Sequence, residues 1–220
     1  MQATRPVSLK PTTRDPGRTR QAIVDAAFEE FYRSGYRGSD IDAILLKVGV
    51  TKGALYHHFD SKAALGYAVL DETVTEIMCG KWQLPLEAAA DPIDALIEII
   101  QSTSLQPEHL ACGCPLNKLS EEMSPLDEGF RTRTAKVFKS WHDAIAAALA
   151  KGKNAGSVRQ DVDPDETAAF LIAAYEGYLS LAKSSQDAGG LKAGLTMLVR
   201  FLESMRPSKG GRNSAWWQAV

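Results

Sequence analysis

Two short apolar patterns separated by one glycine constrain this chain more than any other feature. Between Ser39 and Gly49, apolar residues recur at helical spacing, and Gly49 follows where a helix would stop. Ser39 can cap the start of that helix, and Thr51 can cap the start of a second one. The pattern therefore predicts a helix-turn-helix, and an ordinary helical hairpin is the alternative interpretation.

The second predicted helix has two unlike faces. Leu55 and Phe59 share one side, where they would pack inward. The opposite side carries small, cationic or hydrogen-bonding residues: Lys52, Gly53, Tyr56 and His57. A helix with such a face can enter the major groove of DNA.

The run Val-Thr-Lys-Gly-Ala-Leu-Tyr-His-His-Phe-Asp-Ser-Lys, residues 50–62, resembles the signature of the TetR family of bacterial transcription regulators. The resemblance covers about the first third of the chain. It implies that the second helix reads operator bases near its start, while Tyr56, His57 and Lys62 hold phosphates. Leu45 departs from the family pattern, which usually has alanine there. The DNA-binding set that follows is Ser39, Thr51, Lys52, Gly53, Tyr56, His57 and Lys62.

Charge is distributed unevenly along the 220 residues, although the net charge is only −2. Residues 1–62 contain 10 lysines and arginines against 7 acids, and the remainder is acidic. A basic end on an acidic body suits a protein that faces phosphates with that end.

The organisation predicted from these patterns has four parts. Residues 1–17 form a disordered basic arm, whose arginines would alternatively enter a DNA minor groove, and residues 18–62 form the helix-turn-helix domain. Residues 63–206 form a helical body that binds an effector and dimerises, and residues 207–220 form a flexible tail. The predicted fold class is all-α, with an N-terminal three-helix DNA-binding domain and a C-terminal helical bundle.

The body repeats one signal for helix starts. Asp91-Pro92, Ser124-Pro125 and Asp163-Pro164 each place a capping side chain before a proline, which is favoured at the first helical position. No run in the chain alternates apolar and polar residues in the manner of a strand.

Small residues are concentrated in the last two predicted helices. The set is Ala168, Ala169, Ala173, Ala174 and Gly177. Helices approach closely across such surfaces, and the family resemblance implies that these helices form a four-helix interface in a homodimer. Packing within one chain is the alternative.

Cys114 is the candidate for chemistry in the body. If Pro115 begins a helix, the Cys114 thiol caps it and meets free amides, which would lower the thiol pKa. The segment is also similar to a TetR branch that includes the repressor of N-ethylmaleimide reductase, which implies a redox or electrophile sensor. One alternative is that Cys112 and Cys114 are inert core residues. The other is a metal site in which His109 and His142 join the two cysteines, since Cys-x-Cys alone supplies too few ligands.

A second candidate trigger is an apolar or aromatic small molecule in a cavity of the body. The residues predicted to line it are five aromatic residues and one methionine: Trp82, Met123, Phe138, Trp141, Tyr175 and Tyr178. Most aromatic residues at helical spacing are simply core residues, so each one alone is a weak candidate.

Several functional classes lack support in the sequence. The chain has no G-x-S-x-G, P-loop, His-Glu-x-x-His or G-x-G-x-x-G motif, so we expect neither an enzyme nor a bound cofactor. No apolar run approaches the roughly 18 residues of a membrane span, and three cysteines suit the reducing cytoplasm. The prediction is a cytoplasmic, homodimeric repressor of a palindromic operator. A helical adaptor that binds a partner protein through an apolar groove is the alternative.

Overall fold

The structure, a computed structural model, describes residues 16–207, and every regular element in that range is helical. The all-α prediction is therefore confirmed. The chain divides into one compact unit that ends at Val69 and a second that begins at Leu70. The predicted arm and tail lie outside the described residues, apart from Pro16, Gly17 and Pro207.

Four helices build the first unit: α1 (Pro16–Ser34), α2 (Ile41–Val48), α3 (Lys52–His58) and α4 (Lys62–Ala68). Helix α1 packs against each of the other three. Their apolar stripes meet in one core, whose fully buried members include Ile23, Phe31, Ile44, Leu55 and Leu65. This core holds α2 and α3 in the predicted helix-turn-helix.

The turns of this unit follow local chemistry, with one difference from the prediction. Gly49 ends α2 at φ 71°, in the left-handed region that favours glycine, and the Thr51 hydroxyl accepts from the Ala54 amide at 3.2 Å. The prediction that Ser39 caps α2 is wrong, because Asp40 takes that position and accepts from the Asp42 amide at 2.9 Å. The Ser39 hydroxyl instead donates to the Tyr36 carbonyl at 2.7 Å.

From Val69 to Ala88 the helical hydrogen bonding alternates between π and α in four consecutive segments. The segments are a π-helix at Val69–Val74, α5 (Thr75–Met78), a second π-helix at Cys79–Gln83 and α6 (Leu84–Ala88). A π-helix is wider than an α-helix and holds more residues per turn, and such segments often lie at functional sites.

Six further helices complete the second unit: α7 (Pro92–Gln101), α8 (Pro107–Cys112), α9 (Pro115–Met123), α10 (Glu128–Ala155), α11 (Pro164–Ser185) and α12 (Ala188–Glu203). Helix α10 contacts α5, α6, α7, α9 and α11. Because it touches so many neighbours, α10 organises the core of this unit.

Two of the three predicted helix starts in the body are confirmed. Asp91 and Asp163 cap α7 and α11, accepting from two backbone amides each. The start at Ser124 is wrong, because Asp127 caps α10 instead. The Ser124 hydroxyl lies 3.1 Å from the hydroxyl of Thr134, so a side-chain contact takes the place of the expected cap.

Glycine permits a close approach of α11 and α12. A Cβ atom at Gly194 would lie 2.2 Å from Cδ1 of Tyr178, a distance that the rigid ring cannot accept. The same atom at Gly177 would meet nothing within 4 Å. One glycine is therefore needed for packing within the chain, and the other is not.

None of the helices within residues 16–207 combines the length and apolar character needed to cross a membrane.

Candidate nucleic-acid interface and effector cavity

Helix α3 presents the polar face that the sequence predicts. Thr51, Lys52, Gly53 and His57 are exposed, and Tyr56 is 43% exposed. Leu55, on the opposite side, is 1% exposed and anchors the helix in the core. The unit thus holds a cationic, hydrogen-bonding surface in a fixed orientation, as binding to DNA requires.

Gly53 is not required by the packing of its own chain. A Cβ atom there would meet only the Thr51 hydroxyl, at 3.9 Å, and the residue lies in a helix that alanine would favour. A glycine on the outer face of a short helix removes steric bulk from the surface. It therefore suits close approach of a partner such as a DNA duplex.

Lys62 and Ser39, two members of the predicted DNA-binding set, contact each other. The Lys62 ammonium donates to the Ser39 carbonyl at 2.8 Å and lies 5.1 Å from the centre of the Tyr36 ring. The Ser39 side chain is buried, which does not favour a contact with DNA. Both residues tie the start of α4 to the loop before α2, and their contacts with DNA stay predictions.

The second unit contains a cavity of about 460 Å³, a size typical of small-molecule sites. Helix α5 and its flanking π-helical segments form one wall, and α10 forms the other. Trp82 and Trp141 lie on these two walls, with ring centres 4.7 Å apart. Of the six residues predicted to line an effector cavity, these two line this one.

The other four predicted residues are placed elsewhere. Tyr175 accepts a hydrogen bond from Lys81 at 2.6 Å and lies 2.9 Å from the Thr103 hydroxyl. Phe138 stacks on Trp141, Met123 is buried, and Tyr178 packs against Gly194. None of the four lines this cavity, and Tyr175 and Phe138 pack against the ring of Trp141 instead.

Sequence reasoning missed the polar residues of the cavity, including Asp71, Arg133 and Lys136. Arg133 donates to Asp71 at 2.9 Å, across a separation of 62 residues in the chain. The signal available was the helical spacing of Arg133, Lys136 and Val137, which places them on one side of α10. Nothing in the spacing alone shows which neighbouring helix that side faces.

Cys114 occupies the predicted position immediately before α9, but the lowered thiol pKa predicted for it is wrong. Its role as a redox or electrophile sensor stays a prediction. Burial raises the pKa of the Cys114 thiol well above its ordinary value, and the negative charge of Glu176 raises it further. The amides of Asn117 and Leu116 lower the pKa as expected for a helix start, but their effect is smaller. The thiol therefore stays protonated at neutral pH.

Glu176 on α11 is an unusual neighbour for this thiol. It is 7% exposed, and neither carboxyl oxygen has a hydrogen-bond partner of ordinary geometry among the described residues. Burial raises the pKa of Glu176 to about 7, while the nearby Cys114 thiol and the Lys81 charge pull it down. No sequence signal marked this residue, because its burial depends on how α9 and α11 pack.

Cys112 is half-buried and lines a small recess with Cys114, Lys118 and Lys183. All three cysteines are unbridged. No group of three or more histidines, cysteines or acids within residues 16–207 is placed to hold a metal ion.

Two family models match the chain. One, described as "Bacterial regulatory proteins, tetR family", matches residues 23–69, which contain the helix-turn-helix. The other, described as "Tetracyclin repressor-like, C-terminal domain", matches residues 89–198.

Individual proteins resemble the chain along most of its length. The HTH-type transcriptional repressor DhaR of Mycobacterium sp. (strain GP1) is 31% identical over 187 residues, which cover 83% of this chain and 91% of DhaR. The crystal structure of a TetR transcriptional regulator from Chloroflexus aurantiacus J-10-FL is 28% identical with a TM-score of 0.77, covering 88% of this chain and 98% of that one. The reduced form of E. coli NemR has a TM-score of 0.75 and covers 88% of this chain and 100% of its own, but at 23% identity it shows the fold alone.

Proposed function

Because the chain belongs to the TetR family of bacterial regulatory proteins, we propose that it is a homodimeric repressor that a small-molecule effector releases from a palindromic operator. The family is one of DNA-binding transcription regulators rather than enzymes. The observation that carries the proposal is the outer face of α3, where Lys52, Tyr56 and His57 are exposed while Leu55 holds the helix in place. The protein would act in the cytoplasm, where its DNA lies.

Two copies are needed because one short helix reads few base pairs. Dimeric helix-turn-helix proteins contact half-sites about one DNA turn, or roughly 34 Å, apart. The α11–α12 face, which we define as Phe170, Ala173, Gly177, Leu181, Ala193 and Met197, is exposed in the single chain. It is apolar, and the small residues on it allow close approach of a second copy. We assign this face to the dimer interface.

A tyrosine substitution tests the DNA-binding role of α3. Tyr56 is exposed, so Tyr56→Ala should leave the fold intact while nearly abolishing binding to DNA from upstream of the protein's own gene. The measurement is a gel shift, with circular dichroism to confirm the helix content. Leu126→Ala is the matched control, because Leu126 is an exposed side chain in the other unit. Wild-type affinity in the Tyr56→Ala variant would contradict the assignment of α3 as the DNA-binding helix.

We favour ligand binding in the cavity over modification of Cys114 as the event that releases the protein from its operator. A protonated thiol is a poor nucleophile, and the Cys114 pKa is raised by burial and by Glu176. Treatment with N-ethylmaleimide should therefore change operator affinity little in the wild type and equally little in Cys114→Ser. Loss of binding in the wild type alone would reinstate Cys114 as the sensor.

A further inference from the structure

The cavity between α5 and α10 contains polar groups that its own fold does not use. We propose that it binds a small organic acid with a flat apolar body, so that the carboxylate meets Lys136 and the body lies against Trp82 and Trp141. This inference rests on the proposed function, since it names the chemical class of the effector. Three observations support it independently.

The first observation is the charge on the cavity wall. Arg133, Lys136 and Asp71 all line the cavity, and Arg133 is engaged by Asp71 at 2.9 Å and by the Gly129 carbonyl at 3.1 Å. Lys136 is exposed and makes no ion pair with any residue in the described range. The wall therefore presents one ammonium group whose charge the chain does not balance, which favours an anionic ligand.

The second observation is an unused hydrogen-bond donor. Trp141 is 3% exposed, and its Nε1–H group has no acceptor among the residues that the structure describes. An indole nitrogen can only donate, and leaving a buried donor without an acceptor costs free energy. Because Trp141 lines the cavity, a ligand oxygen that reaches the edge of its indole would supply the acceptor.

The third observation is the apolar part of the cavity walls. Met78, Trp82, Val137 and Trp141 line the cavity with apolar surface. Flat rings pack on tryptophan, and the thioether of methionine also contacts aromatic rings favourably. The cavity therefore suits an aromatic or similarly flat acid better than a sugar or a polyamine.

Isothermal titration calorimetry on the full chain without DNA tests the ligand class directly. Three probes share a naphthalene body and differ in the polar group that it carries: 1-naphthoate is an anion, 1-naphthamide is neutral and 1-naphthylmethylammonium is a cation. A charge-assisted hydrogen bond should make naphthoate bind about tenfold more tightly than naphthamide, with the cation weakest. Equal affinities, tighter binding of the cation, or no binding of naphthoate would each overturn the proposal.

Two variants locate the anion. Lys136→Gln should remove the preference for naphthoate over naphthamide. Lys139→Gln should keep it, because Lys139 lies on the same helix, pairs with Asp143 at 2.6 Å and does not line the cavity. An equal loss in both variants would contradict a site at Lys136.

The two proposals fail separately. The ligand class is judged by calorimetry on free protein, and repression is judged by operator affinity in the absence of any ligand. Tight operator binding with no preference for naphthoate would support the proposed repressor function and contradict the organic-acid effector. A preference for naphthoate without operator binding would support the organic-acid site and contradict the repressor function.

Discussion

Burial of the Glu176 carboxyl group is expected to make the stability of this protein fall as pH rises. Its charged form loses hydration in the folded chain and gains no hydrogen bond of ordinary geometry within the described residues. Lys81 and Cys114 offset only part of that cost, since burial is the dominant effect and raises the pKa of Glu176 to about 7. The proton is thus held more tightly in the folded chain than in the unfolded one.

The consequence is a loss of stability as pH rises. Below the ordinary glutamate pKa of 4.5, Glu176 is protonated in both the folded and the unfolded chain, so no buried charge lowers the stability. Between pH 4.5 and about 7 Glu176 ionises in the unfolded chain first, and the free energy of unfolding falls by about 3 kcal/mol. Glu176→Gln should remove this slope and exceed the wild type in stability at pH 8. Urea denaturation at pH 4.5 and pH 8 measures both effects.

The control for that experiment is Glu166→Gln, which changes an exposed acid on the same helix. It should retain the slope of the wild type between pH 4.5 and pH 8. An unchanged slope in Glu176→Gln would show that Glu176 ionises without cost.

Substitution of Gly53 is expected to affect DNA binding but not folding. Gly53→Ala adds a methyl group that the chain can accommodate, and alanine stabilises a helix by up to about 1 kcal/mol over glycine. The variant should therefore melt at or above the temperature of the wild type, yet bind operator at least tenfold more weakly because the methyl group obstructs the duplex. Thermal melting and fluorescence anisotropy make the two measurements. Full operator affinity would show that the DNA does not approach this residue.

Among the elements, α11 and α12 each contain a glycine whose substitution by alanine is expected to act differently, Gly177 in α11 and Gly194 in α12. At Gly194 an added methyl group would strike the Tyr178 ring, so Gly194→Ala should destabilise the protein by about 1–3 kcal/mol through overpacking. At Gly177 the added methyl group meets nothing in the single chain. Gly177→Ala should therefore preserve protomer packing but weaken the dimer, since Gly177 lies on the α11–α12 face.

Sedimentation equilibrium separates the two cases, because it reports dimer dissociation independently of helix content. A Gly177→Ala variant that dimerises as tightly as the wild type would argue that the second copy does not approach α11 closely. Gly194→Ala serves as the control for a change that acts inside the protomer.

For the whole molecule, the acidic body makes salt dependence informative. The net charge of −2 opposes non-specific association with DNA, so attraction must come from the basic N-terminal end. Lys52→Ala should weaken binding to operator and to unrelated DNA alike. It should also reduce the slope of log affinity against log salt by about one for each phosphate that the variant no longer neutralises. Weaker binding to operator alone would instead give Lys52 a base contact.

The parts of this fold that local chemistry controls could be predicted from the sequence. Gly49 and Thr51 act through the residues next to them, so the helix-turn-helix was predictable in outline. Ser39 and Asp40 are adjacent and both are good caps, and the choice of Asp40 depends on the bond that the Ser39 hydroxyl makes to Tyr36. An error of one residue is the natural result of two equivalent local signals.

The chemistry of the body depends on contacts between distant parts of the chain. The pKa of Cys114 reflects burial and Glu176, which lies beyond α10 in the sequence. The cavity likewise joins Asp71 to Arg133. Helical spacing shows which residues share a side, but it does not show what packs against that side.

The π-helical segment Cys79–Gln83 bears on how this protein tolerates insertions and deletions. Deleting a residue from a continuous α-helix turns everything beyond it by about 100°, which would move the buried Leu86 out of the core. A π-helical turn already holds a surplus residue, so the loss of Gly80, whose position is exposed, can restore α-helical pairing and keep the flanking register. Relatives one residue shorter here can therefore share the same core, and an alignment gap at this point need not mark a loop.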